Sequence, residues 1–169
     1  PLKALRFHNF PWITQGAMHF LDEAAAKGQP FFLYLAPTAI HGPNHVTDLE
    51  QDITLPPDGK QEDLTVYQLA LVHLKNSLID QPSGKQHRYA GISQIDHQLG
   101  LIRKKLDELN LAENTFIIFM ADHNIEPGKA TSYEKGVHIP MITYWPGKSG
   151  GSITDALVKN VDVLPTVLE

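Results

Sequence analysis

Apolar residues along this chain recur at two different spacings, and the spacings separate helices from strands. In TQGAMHFLDEAAAKGQP, Met18, Leu21 and Ala25 fall three and four apart, which predicts a helix from about Thr14 to Lys27. Gly28 follows where helices end in a left-handed residue. The next segment, PFFLYLA at 30–36, is apolar on both faces and predicts a central strand covered by helices on each side. Pro37, Gly42 and Pro43 mark a loop after it, and LPPDGK a turn within a surface segment, 46–61. The spacing becomes helical again over 62–78, where Leu64, Tyr67, Leu71, Leu74 and Leu78 share one face.

The longest helix is expected from Gln86 to Leu109, with Tyr89, Ile92, Ile95, Leu99, Ile102, Leu106 and Leu109 as one buried stripe. Strands are expected at 115–121 and at 140–145, the second closed by Pro146-Gly147. ITDALVKNVDVLPTVLE reads as a short strand and a final helix with Asp162 as its N-cap. Strands separated by long helices imply an α/β fold, layered α/β/α around a mostly parallel central sheet.

Composition narrows the functional classes. A chain of 169 residues with 42% hydrophobic and 20% charged residues is ordinary for a globular domain. The formal charge of −5, with no basic run, speaks against a nucleic-acid partner. No apolar run reaches the ~18 residues that would predict a membrane span. The sequence starts at Pro1, so the numbering is expected to begin inside a longer precursor, and the lack of a signal segment carries no weight. Cysteine is absent, which removes disulfides, thiolate metal ligands and cysteine nucleophiles from this stretch.

The chemistry concentrates where the strand 115–121 ends. FIIFMA runs directly into Asp122, His123 and Asn124, and Lys129 follows a Pro-Gly turn. Many strands end in a polar turn, but an acid, an imidazole and an ammonium together also suit an ion site aimed at an anionic substrate. In open α/β sheets ligands bind beyond the carboxyl ends of the strands. The strand at 30–36 empties into a loop with His41, Asn44 and His45, so parallel strands would bring the two loops to one edge. Aspartate is a hard oxygen ligand suited to calcium or magnesium, and a neighbouring histidine moves the preference towards zinc or manganese.

Four blocks carry a resemblance to the type I sulfatases of the alkaline phosphatase superfamily. They are QPFFLYLAPTAIHGP, YAGISQIDHQLGLIRKKLDELNLAENTFIIFMADH, GKATSYEKGVHIPMITYWPG and NVDVLPTVLE. The third is similar to a family segment of the form GKGTTYEGGVRxP. The resemblance implies a sulfatase-like fold, here incomplete, with residues 1–169 as part of a catalytic domain. It implies that Asp122 and His123 are metal ligands, and that Lys129 and His41 contact the sulfate ester. The metal it implies is calcium, and the nucleophile a formylglycine formed within a Cys/Ser-x-Pro-Ser-Arg motif. DQPSG at 80–84 imitates that motif but has Asp80 and Gly84 at its ends. The nucleophile, the paired aspartates that precede it and the small C-terminal domain are therefore expected outside this chain. Asn124 and His138 depart from the family pattern, which commonly has glycine and arginine there.

Three functions remain open at this level. The first is metal-assisted hydrolysis of a sulfate monoester, on a small molecule or a glycan. The second is a phosphodiesterase or phosphonate hydrolase of the same superfamily, told apart by the residue at the nucleophile position. The third is a non-catalytic α/β fragment, since this stretch has no nucleophile of the family type. The resemblance alone suggests a secreted or periplasmic protein. An incomplete sheet would leave an unpaired edge, which favours self-association.

Overall fold

The structure is a computed structural model, and it describes residues 10–38, 86–124, 128–148 and 150–169. They belong to two compact units, one reaching to Ala112 and the other running from Glu113 to Glu169. The expected helix at 62–78, the surface segment 46–61 and the loop bearing His41, Asn44 and His45 lie outside the described residues.

The first unit contains two helices packed together, α1 (Phe10–Lys27) and α2 (Gln86–Glu108). α1 starts at Phe10, ahead of the expected Thr14, and ends as expected at Gly28, whose φ of 60° lets its N–H reach back to Ala24 O at 3.1 Å. The face that α1 buries is Thr14, Ala17, Leu21 and Ala24, and the expected Met18 and Ala25 sit on its half-buried flank. On α2 the buried line is Ala90, Gln94, Gln98, Ile102 and Leu106, each four residues after the last. Tyr89 and Ile92, expected in the stripe, are exposed.

A hydrogen bond lies on this buried face. Gln98 Nε2 donates to Thr14 Oγ1 at 2.8 Å inside the helix pair. A buried polar group with a partner no longer opposes burial, so Gln98 takes a core position that a hydrophobic count assigns to the outside, while Gln94 is equally buried with its Nε2 unpartnered among the described residues. Ala17, Ala24 and Ala90 line the remainder of the contact, and such small side chains let helix axes approach. Lys105 and Asp22 add an ion pair between the helices at 2.6 Å.

Residues 31–38 follow α1 without forming a strand. Burial alternates from Phe31 to Thr38 between half-buried and exposed, the period of an extended segment, and Phe31 packs edge-on against Phe20 at 6.0 Å. The central strand expected at 30–36 is thus absent from the sheet of the described residues.

That sheet lies in the second unit and has two strands, β1 (Ile117–Met120) and β2 (Met141–Tyr144). They pair antiparallel, Ile117 opposite Tyr144 and Met120 opposite Met141. A parallel layer is not seen among the described residues. The segment joining β1 to β2 contains one helical turn, α3 (Glu134–Val137), where parallel neighbours need a crossover of a dozen or more residues, usually a full helix. Just beyond the ladder, Phe116 and Trp145 stack at 5.5 Å, and the indole N–H donates to Glu113 O at 3.1 Å. Lys148 Nζ lies 4.1 Å from the Trp145 ring centroid, within cation–π range. Pro146-Gly147 closes β2 as expected, with Gly147 at φ 73° and Lys148 N–H bonded to Trp145 O at 3.1 Å.

The chain ends in α4 (Val163–Leu168). Asp162 occupies the expected N-cap position, but its carboxylate turns back and accepts the Lys159 N–H at 2.8 Å, closing the preceding 3₁₀ turn, Asn160–Asp162. No strand forms between 151 and 159.

Candidate functional site

The antiparallel ladder decides which loops meet. Past Met120 the pairing continues for one more step, with Ala121 N–H reaching Pro140 O at 3.4 Å. Beyond it the two backbones remain joined, as Asn124 N–H donates to Gly136 O at 3.3 Å and Asn124 Nδ2 donates to His138 O at 3.3 Å. The end of β1 therefore lies against the segment that leads into β2.

Asp122 and His123 stand at this junction. Asp122 Oδ1 accepts the His123 N–H at 2.9 Å, so the carboxylate folds over its own backbone. His123 Nδ1 lies 2.9 Å from Asn124 O, and a carbonyl only accepts, so this nitrogen carries the proton. The other ring nitrogen, Nε2, lies 3.3 Å from Asp122 Oδ2. In the neutral ring this pairs a nitrogen lone pair with a carboxylate oxygen, two electron-rich atoms that need a cation or a proton between them. The Asp122 side chain is 83% exposed and that of His123 36%, so the pair opens outward. The donor set suits a divalent cation, one hard oxygen beside one imidazole nitrogen. Among the described residues no cluster of three or more His, Asp or Glu side chains comes together, so the pair supplies part of a coordination shell.

Lys129 sits on a tight turn, exposed. Gly128 O accepts both Thr131 N–H at 3.0 Å and Thr131 Oγ1 at 2.6 Å. This makes Lys129 the second residue of the turn and Ala130 the third. Ala130 has φ 64°, a conformation that a turn of this kind demands and that glycine adopts with less strain. Gly128 itself has φ 130°, where a side chain is strained.

Gly136 holds this turn, a role that the spacing of apolar and charged residues does not reveal. It is buried, and a Cβ on it would run into Gly128 O and Thr131 O. The glycine in YEKG was the available signal, since a buried glycine beside a turn commonly marks close backbone approach. His138 is fixed to α3 twice, by its N–H to Glu134 O at 2.9 Å and by Nδ1 to Glu134 Oε1 at 2.6 Å. Of the expected site residues, Asp122, His123 and Lys129 all fall in this second unit, on two loops tied to each other through Asn124 and Gly136. His41 lies outside the described residues.

Comparison with known proteins places the chain in a family. Human arylsulfatase G is 26% identical over 180 residues, covering 92% of this chain and 29% of the relative. An endo-4-O-sulfatase of Bacteroides thetaiotaomicron is 27% identical over 149 residues, covering 83% of this chain and 28% of the relative. The chain thus spans under a third of the length of these relatives. Among solved structures, Ps i-CgsB superposes with a TM-score of 0.56 at 25% identity, over 82% of this chain and 28% of its own. The same protein has been crystallised with k-i-k-neocarrahexaose. A family model described as Sulfatase matches residues 12–169, nearly the whole chain, and the chain belongs to the sulfatase family.

Proposed function

We propose that this chain is part of the catalytic domain of a sulfuric ester hydrolase, and that Asp122, His123 and Lys129 are its contribution to the active site. The observation that carries the reading is the tie between two loops of a sulfatase-family chain, one bearing an acid–imidazole pair and the other an exposed lysine. In this reading the described residues are one edge of a larger layered sheet that is mostly parallel elsewhere.

The residues have separable tasks. Asp122 and His123 would hold a divalent metal, calcium by family resemblance, which when bound would neutralise charge on the sulfate group. Lys129 extends an ammonium from a tight turn and binds the sulfate oxygens. Its charge favours the transition state over the ground state as negative charge moves towards the leaving oxygen. His41, two residues before Pro43 in the sequence, hydrogen-bonds the ester oxygen or passes a proton to the departing alcohol. The nucleophile is a formylglycine from a segment other than this one, because the chain has neither a cysteine nor a Ser-x-Pro-Ser-Arg motif. The substrate class is a sulfate monoester of an aryl alcohol or a carbohydrate. Support for that breadth comes from the names of the relatives, an arylsulfatase and an endo-4-O-sulfatase, and from the oligosaccharide bound to Ps i-CgsB.

The test is the full-length protein carrying this chain, assayed with 4-nitrophenyl sulfate and 4-nitrophenyl phosphate. Hydrolysis of the sulfate ester in preference to the phosphate, lost in Asp122→Ala, supports the reading. Preference for the phosphate ester moves the protein to the phosphoryl-transfer branch of the superfamily. Residues 1–169 alone are expected to release no 4-nitrophenol, and release abolished by Asp122→Ala would disprove the assignment of the nucleophile to another segment.

A further inference from the structure

We propose that Asn124 is a positioning residue that fastens the Lys129 turn to the Asp122–His123 end of β1. The inference rests on the reading of Lys129 as the sulfate-binding residue, and it assigns the element that holds that residue in place.

Asn124 is bonded at three points within this junction. Its carbonyl accepts His123 Nδ1 at 2.9 Å, its N–H donates to Gly136 O at 3.3 Å and its side-chain Nδ2 donates to His138 O at 3.3 Å. Each partner is itself held. Gly136 rests on Gly128 O and Thr131 O, the two ends of the turn whose corner is Lys129. His138 is bound to Glu134 through both its backbone N–H and its ring. A path of direct contacts thus leads from the His123 ring through the Asn124 backbone and Gly136 to the turn, and the Asn124 side chain adds a second tie through His138 O to the same segment.

The chemistry requires an amide at position 124. Alanine or glycine keeps the backbone bond to Gly136 and loses the donor to His138 O. Aspartate places a carboxylate oxygen against that carbonyl, acceptor facing acceptor. The need for a fastener follows from the lysine itself. Lys129 is exposed, so the position of its ammonium depends on the backbone of the turn and not on packing around the side chain.

The experiment is a double-mutant cycle in the full-length enzyme with 4-nitrophenyl sulfate, using Asn124→Ala and Lys129→Ala. Misplacing a positioned group by about 1 Å costs up to about 10²-fold in rate. Asn124→Ala is expected to lower kcat roughly tenfold or more when Lys129 is present, and less than about twofold when it is already alanine, because the two residues act as one unit. Asn124→Gly, which keeps the backbone bonds, serves as the second variant and is expected to behave alike. Amide hydrogen exchange over 128–136 should quicken in both variants while Tm holds steady. Equal losses in both Lys129 backgrounds would assign Asn124 a merely structural role and overturn the proposal. An inactive wild-type enzyme, or a harmless Lys129→Ala, defeats the reading of function instead. Exchange then still decides the fastener, and unchanged exchange over 128–136 rejects it.

Discussion

Leu21, 1% exposed between two helices, and Lys129, exposed at the corner of a turn, represent two ways in which this chain holds a side chain in place. In the helix pair α1–α2 position comes from packing. Six apolar residues there are at most 9% exposed, which sets the register of one helix on the other. In the unit from Glu113 to Glu169, none of the described apolar side chains reaches that degree of burial. Position there comes from backbone: an antiparallel ladder, two glycines at positive φ, and hydrogen bonds that join loop to loop. The proposed site residues Asp122, His123 and Lys129 sit in the second kind of region. On the proposed reading, the exposed charged groups of this region are placed by the peptide beneath them.

This contrast is most strongly tested at Leu21. Leu21→Ala removes a fully buried side chain and is expected to cost about 2–5 kcal/mol, read as a fall in the denaturant midpoint without change of slope. No residue of the hairpin unit should cost as much on truncation of an apolar side chain. A loss above about 2 kcal/mol in Ile142→Ala, whose parent residue is 59% exposed, would break the distinction.

Next in size is the lysine pair. In the full-length enzyme Lys129→Ala should lower kcat by on the order of 10²–10³, as for other groups that meet developing charge. Lys135, exposed on α3, loses the same formal charge with an effect well under roughly tenfold. Lys129→Arg should recover only part of the rate, because a planar guanidinium does not replace a compact ammonium. Equal, small losses from both alanine variants would mean that Lys129 is an ordinary surface residue.

A smaller effect belongs to the polar seam of the helix pair. Gln98→Ala leaves the Thr14 hydroxyl without the 2.8 Å bond it accepts, at an expected cost of about 1–3 kcal/mol by denaturation. The double replacement Gln98→Leu with Thr14→Val removes both partners together and is expected to recover most of that loss. Failure to recover would show that the seam is held by more than this one bond.

The smallest expected effect concerns pH. Burial lowers the pKa of His97 on α2, and the neighbouring Asp96 acts in the opposite sense. The unfolded chain then binds a proton at His97 more readily than the folded one, so stability falls as pH drops through the ordinary histidine value near 6.5 towards the lowered one. His97→Gln should flatten that part of the stability profile. An unchanged profile would place the pH dependence on another group.

Much of the local structure was legible because its causes are local. The end of α1 follows from one glycine at φ 60°, the close of β2 from Pro146-Gly147, and the span of α2 from a periodic run, with Gln86 as its start both expected and observed. The strand delivering Asp122 could be read because six apolar residues stop at a charged one. The assignment of PFFLYLA to a strand failed for the opposite reason. Its alternation is that of an extended chain, but a strand exists only where a partner supplies the ladder, and composition names no partner.

The sequence alone determined that α1, α2, β1 and β2 exist, and which family the chain resembles, since these depend on residue type and spacing. Tertiary structure decided which faces the helices bury, because packing between α1 and α2 takes in Thr14 and Gln98, bonded to each other, together with Gln94. It decided that β1 and β2 run antiparallel, and so that Asp122 and His123 lie beside the segment before β2. It also decided that Gly136 and Asn124 join the two loops that carry the proposed site residues. At Gly136 two backbones come close and at Asn124 they are bonded, and proximity between distant residues is a property of the folded chain.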